Sequence, residues 1–198
     1  MATISRRTKI IVVFVILVIV GYGVAIYWGS RNKVPVAFTN ARLQGALISQ
    51  DIVNISNSST AELAQVNKDD QQGDYTDALT LTTNLVNQSE DLRNKAVDLS
   101  NQIGTMTQSL SSVNSFQAQQ AALQSISSRL ALINQLITYS NDLDKLLLVL
   151  QARFSGQPQS NATVQGLVNQ INTDVNAINN FNAQAEQAMQ QFDKIVGS

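Results

Sequence analysis

Leu92-Arg93-Asn94-Lys95-Ala96-Val97-Asp98-Leu99 opens a stretch, continued to Val113, in which Leu92, Ala96, Leu99, Ile103, Met106, Leu110 and Val113 recur in alternating steps of four and three. Steps averaging 3.5 residues keep an apolar stripe on one side of a helix, where a second helix can close over it. That pattern decides the fold class: all-α, with helices packed along coiled-coil-like seams.

Working back from this stretch, Tyr75, Leu79 and Leu85 continue the helix toward its start. Asp74 reads as its N-cap, with Asp77 three residues on, a capping-box-like pair suited to the positive helix end. Lys68 to Gly73 is a turn. Gly73-Asp74-Tyr75-Thr76-Asp77-Ala78-Leu79 resembles the inter-helix turn of a tetratricopeptide repeat, but no second copy follows at a period of 34. The heptapeptide is therefore read as a local helix–turn–helix entry. Before it, Leu43, Leu47, Ile48, Ile52, Ile55, Leu63 and Val66, with Ser59 filling one step, predict a helix over 40–68. The run Ser56-Asn57-Ser58-Ser59-Thr60 marks a place where it could break.

Working forward, Ser111 to Ser115 interrupts the pattern, with Asn114 as expected N-cap and Gln117 as its partner. The next seam is Leu123, Ile126, Leu130, Ile133, Ile137, Leu143, Leu147, Leu150 and Phe154. Within it Leu146-Leu147-Leu148-Val149-Leu150 is apolar nearly all round and is expected to be the most buried turn. Gly156 and Pro158 end that helix. Ser160 or Asn161 caps the last one, whose seam is Val164, Val168, Ile171, Val175, Ile178, Phe181, Ala185, Met189, Phe192 and Ile195.

Four helices joined by short turns imply antiparallel neighbours, up-down-up-down, each of the last three about 50–60 Å long. The turns at 68–74 and 155–161 then share one end. The 111–115 turn and the C-terminus share the other, toward the N-terminal segment. Val113 and Phe116 fall at that second end, either packed under the turn or touching a membrane interface.

The N-terminal segment is different in kind. Ile10 to Trp28 is nineteen residues without a charge, which as a helix reaches roughly 28 Å, close to the ~30 Å core of a bilayer. Arg6, Arg7 and Lys9 precede it; Tyr22, Tyr27 and Trp28, then Arg31 and Lys33, close it. Gly23-Val24-Ala25 would suit a signal peptidase, yet the apolar run continues through Ile26, Tyr27 and Trp28, so an uncleaved anchor is expected. Ile10, Val15, Val20, Tyr27 and Trp28 mark that anchor. The expected organisation is a cytoplasmic N-terminus (1–9), a transmembrane anchor (10–28), a juxtamembrane connector containing Pro35 (29–40) and an extracytoplasmic helical bundle (41–198).

Composition narrows the function. All fourteen acids lie after residue 33, against eight of the thirteen basic residues, so that part carries 8 − 14 = −6. This repels phosphate backbones and argues against nucleic acid as a partner. The chain has no Cys and no His, which removes thiolate chemistry, disulfides and the commonest base and transition-metal ligand. No Ser-x-x-Lys motif or phosphate loop occurs. Acids around Gly73 suggest calcium, but an EF-hand register puts Lys68 at position one and Leu79 at position twelve, which excludes it. Asp142 and Asp144 point apart on a helix and read as a solvated face. No catalytic, cofactor or metal site is expected. Asp69, Asp70 and Gln157 mark the distal tip as a candidate interaction surface. The expected function is a non-catalytic interaction, scaffold or spacer module at the cell envelope, partnered by lipid and by proteins or itself. The alternative is an extracytoplasmic ligand-binding or sensor domain that signals through a partner.

Overall fold

The computed structural model describes residues 34–197, and the anchor residues Ile10, Val15, Val20, Tyr27 and Trp28 lie outside them. Four helices follow in order: α1 (Val36–Gln72), α2 (Tyr75–Ser109), α3 (Phe116–Phe154) and α4 (Asn161–Gly197), with a short 3₁₀ turn at Leu110–Ser112. No strand occurs among the described residues. The fold is a helical bundle. Nor is any helix among those residues long and apolar enough to cross a membrane.

α1 starts at Val36, directly after Pro35, rather than near residue 40. Proline lacks an amide and so suits a helix start, where the first amides need no intrahelical partner. The Pro35 carbonyl accepts from the Thr39 amide at 3.1 Å. The helix then runs unbroken through Ser56–Thr60. Ser59 and Thr60 turn their hydroxyls back onto the carbonyls of Ile55 and Ser56 at 2.9 and 2.8 Å, so these residues do not compete with the helix.

Gly73 ends α1 with φ of +77°, and Gly156 follows α3 with φ of +84°. Asp74 caps α2 as expected, accepting from the Asp77 amide. The cap of α3 is Ser115, accepting from Ala118, and not Asn114. Ser160 accepts from Ala162 at the start of α4. Alanine at Gly73 should cost about 1 kcal/mol, the usual penalty of a side chain in left-handed backbone. Alanine at Gly104, in mid-helix with open space around its Cβ position, should instead stabilise by about 0.5–1 kcal/mol. Urea unfolding of the two variants checks the opposite signs.

Each helix packs on the next, and between α1 and α2 the contacts run in opposing residue order. Between α1 and α2, Asp51 meets Lys95 at 2.7 Å, Ser59 meets Gln88, and Gly45 lies under Leu99. Ser89 meets Ser140 at 2.8 Å across α2 and α3. Across α3 and α4, Ser125 meets the Ala185 carbonyl at 2.9 Å. The first and last helices are joined differently. Their backbones stay further apart, and long side chains bridge them: Phe38 stacks on Phe192 with centroids 5.1 Å apart, and Arg42 forks onto Asp193.

The core follows the expected seam in α2 from Leu92 to Val113, every member buried. In α4, Val168, Ile171, Val175, Ile178, Ala185, Met189 and Phe192 are buried, with Val164, Phe181 and Ile195 packed at its edge. Elsewhere the seams are corrected. In α1 the expected Ile52, Ser59 and Val66 are buried and Ile48, Ile55 and Leu63 pack at the edge, but Leu43 and Leu47 are exposed, and Phe38, Ala41, Gly45, Ser49 and Ser56 take their place on the buried face. Leu123 and Leu130 of α3 are likewise exposed, while Ala118, Ala122, Ser125, Leu132 and Leu136 point inward. The small side chains on these faces satisfy their hydroxyls in two ways: Ser49 and Ser59 bond carbonyls of their own helix, and Ser125 bonds the Ala185 carbonyl of the facing helix. In the 146–150 run, Leu146, Leu147 and Leu150 are buried, but Leu148 is 62% exposed. One face of that turn meets water.

Candidate functional site

The two tip turns do lie together. Arg153 of α3 reaches Asp70 of α1 at 3.0 Å, and Tyr75 stacks on Phe154 with centroids 5.9 Å apart. Two of the three candidate tip residues are occupied in building that end. Asp69 is buried and accepts from Gln65 at 2.6 Å, and its carbonyl takes the Asp74 amide. Asp70 holds Arg153. Gln157 is exposed, with its amide on the Ala152 carbonyl. Among the described residues no group of His, Cys, Asp and Glu is placed to hold a metal ion.

Asp142 and Asp144 are not a solvated face. Asp144 takes Arg93 of α2 at 2.6 Å, and Asp142 is buried, with Lys145 at 2.6 Å. The sequence showed both carboxylates but not the neighbouring helices that supply their partners. Asp142 also faces Asp174 of α4, a residue without any sequence signal, which is 1% exposed. One Asp174 oxygen accepts from Gln135 at 2.9 Å and Gln170 at 3.0 Å. Its other oxygen has no partner but Asp142. Burial raises the Asp174 pKa first, and the neighbouring Asp142 carboxylate raises it further, against the two amide bonds. Beside it the buried Tyr139 hydroxyl is pushed up to about 12, by burial and then by Asp174.

A carboxyl whose folded pKa lies above its unfolded value keeps its proton where the unfolded chain has lost one. Stability from this group therefore falls as pH rises from the ordinary aspartate pKa through the folded value. Asp174→Asn offers an amide N–H to Asp142 and keeps an acceptor for the glutamines. It should raise stability at pH 7 by roughly 1–2 kcal/mol, the scale of a buried unpartnered acceptor, and flatten the pH dependence. Thermal unfolding of both proteins at pH 4 and pH 7 checks this; a variant destabilised at pH 7 would show that Asp174 is held as a favourable carboxylate.

The remaining candidate is apolar. Phe116, Leu123 and Leu130 are exposed on α3 at seven-residue spacing, with the half-buried Ile137 continuing the line toward Asp144. Heptad spacing keeps residues on one side of a helix, so this is a continuous stripe. Leu123, Leu130 and Ile137 were read from sequence as part of the inward seam. The signal against that reading was the second pattern beside it, Ala118, Ala122, Ser125, Leu132 and Leu136, at steps of three, four and seven.

No protein-family model, curated protein or solved structure matches the chain.

Proposed function

We propose that this chain is a single-pass membrane protein, with residues 10–28 as transmembrane helix and an antiparallel up-down-up-down four-helix bundle with coiled-coil-like seams held outside the cytoplasm. It acts as a non-catalytic interaction, scaffold or spacer module at the cell envelope. The observation that carries the interaction role is the α3 stripe at Leu123, Leu130 and Ile137, a heptad-spaced apolar face with no helix of the described residues over it. Such a face suits the helix of a protein partner or a second copy. Several polar groups inside the bundle meet one another, Ser89 with Ser140 and Asp174 with Gln135 and Gln170, which supports a packed scaffold over a ligand pocket. The anchor rests on the length and charge-free composition of Ile10–Trp28.

Protease shaving of intact cells expressing a C-terminally tagged chain tests the arrangement, alongside alkaline carbonate extraction. Retention in the carbonate pellet together with loss of the tag on shaving is the expected result. Release by carbonate would overturn the anchor. Protection of the tag that persists after the outer surface is permeabilised would place the bundle in the cytoplasm.

A further inference from the structure

The two most exposed large apolar side chains of the bundle sit at the same end. Val36 is 73% exposed and Phe116 is 77% exposed. They are the first residues of α1 and α3, the two helices whose N-termini form that end with the 110–115 turn and the close of α4. The Phe38–Phe192 stack and the Arg42–Asp193 pair tie the first and last helices there. Side chains in a helix lean toward its N-terminus, so Val36 and Phe116 lean out of the end face. Beneath them Leu110 and Val113 already seal the core, at 6% and 3% exposed. Val113 is packing; Phe116 is not.

Charge divides the molecule the same way. Residues 99–128, which form this end of α2 and α3, contain no Asp, Glu, Lys or Arg. The charges near the end face are Arg42 with Asp193, and the exposed Lys194. Arg31 and Lys33 lie in the connecting segment. At the opposite tip the acids Asp69, Asp70, Asp74 and Asp77 outnumber the bases Lys68 and Arg153.

The length of chain between anchor and bundle fixes what this face can meet. Seven residues separate Trp28 from Val36, which even fully extended span at most about 28 Å. The helices themselves are about 55 Å long. We infer that the end face formed by Val36 and Phe116 seats on the lipid interface, with Phe116 inserted among the headgroups and Lys194 over anionic lipid. Aromatic rings favour that depth, and basic side chains near an anionic surface add to it. This inference rests on residues 10–28 being the anchor. Its effect is to stand the bundle upright, acidic tip outward.

The chain has no cysteine and a single tryptophan, Trp28, so the test can be made on the full chain with one label at a time. Val36→Cys, Phe116→Cys and Gln157→Cys proteins carrying an environment-sensitive dye are reconstituted in phosphatidylcholine–phosphatidylglycerol vesicles with brominated acyl chains. Trp28 emission is read in the same samples. The expected result is strong quenching of Trp28 and of the labels at 36 and 116, with none at 157. Adding Phe116→Ser should then reduce quenching of the label at 36. If Trp28 is quenched while 36 and 116 behave like 157, the seat is overturned and the anchor stands. If Trp28 is not quenched, the anchor falls and the seat with it. A label at 116 that shifts to the blue without lipid quenching would show a second copy over Phe116, which also overturns the proposal.

Discussion

Replacing Phe192 by alanine should lower the unfolding free energy by about 3–5 kcal/mol, the range for emptying a buried aromatic site. Phe192 is fully enclosed, and its ring supplies most of the bridge from α4 to α1 through Phe38. Those helices do not approach closely enough for neighbouring backbone to collapse into the space, so the upper part of the range is expected. Leu148→Ala, next to the fully buried Leu147 but itself mostly in water, should change stability by less than about 0.5 kcal/mol. Urea denaturation followed by circular dichroism compares the two, with the midpoint moving and the slope unchanged. A Phe192→Ala protein within about 1 kcal/mol of the parent would mean that the first and last helices are not held by that stack.

Leucine at Ser140 should be nearly as damaging, by about 3 kcal/mol, through overpacking. Ser89 and Ser140 each bond the other's backbone carbonyl, at 3.1 and 2.9 Å. That arrangement brings α2 and α3 toward the near side of the usual 8–10 Å helix spacing. A leucine there must push the helices apart along their length, and Arg93, which touches both Ser140 and Asp144, loses its seat. Ser140→Ala removes the hydroxyl without adding volume and should cost only about 1 kcal/mol. The difference between the two variants isolates the spacing from the hydrogen bonds. Equal stabilities for Ser140→Leu and the parent would show that the helices have room between them.

The same spacing explains how much of the fold was legible in the sequence. Where the interior is filled by large side chains, as from Leu92 to Val113 and from Val168 to Phe192, periodicity gave the buried face. Where it is filled by Gly45, Ser49 and Ser56, or by Ala118, Ala122 and Ser125, the reading took in larger residues that face outward, Leu43 and Leu47 in α1 and Leu123 and Leu130 in α3. A serine bonded to its own helix, as Ser49 is to Gly45 at 2.8 Å, has little polarity left to keep it out of the core. The tip was half legible. Its turns came together as the helix lengths required, but Asp69 and Asp70 could not be known as ties within the fold without seeing Gln65 and Arg153 beside them. Asp142 and Asp174 lie on different helices, and only their packing makes them a pair.

The bond between the first and last helices carries a mechanical consequence. Both ends of the described chain leave the bundle beside the Phe38–Phe192 stack. A pull between those ends would load that junction alone before any other, peeling α1 from α4 one contact at a time rather than sliding helices past each other. Pulled instead between one end and the acidic tip, the same bundle would share the load along all four helices. Used as a strut it should be stiff in one direction and easily unzipped in the other.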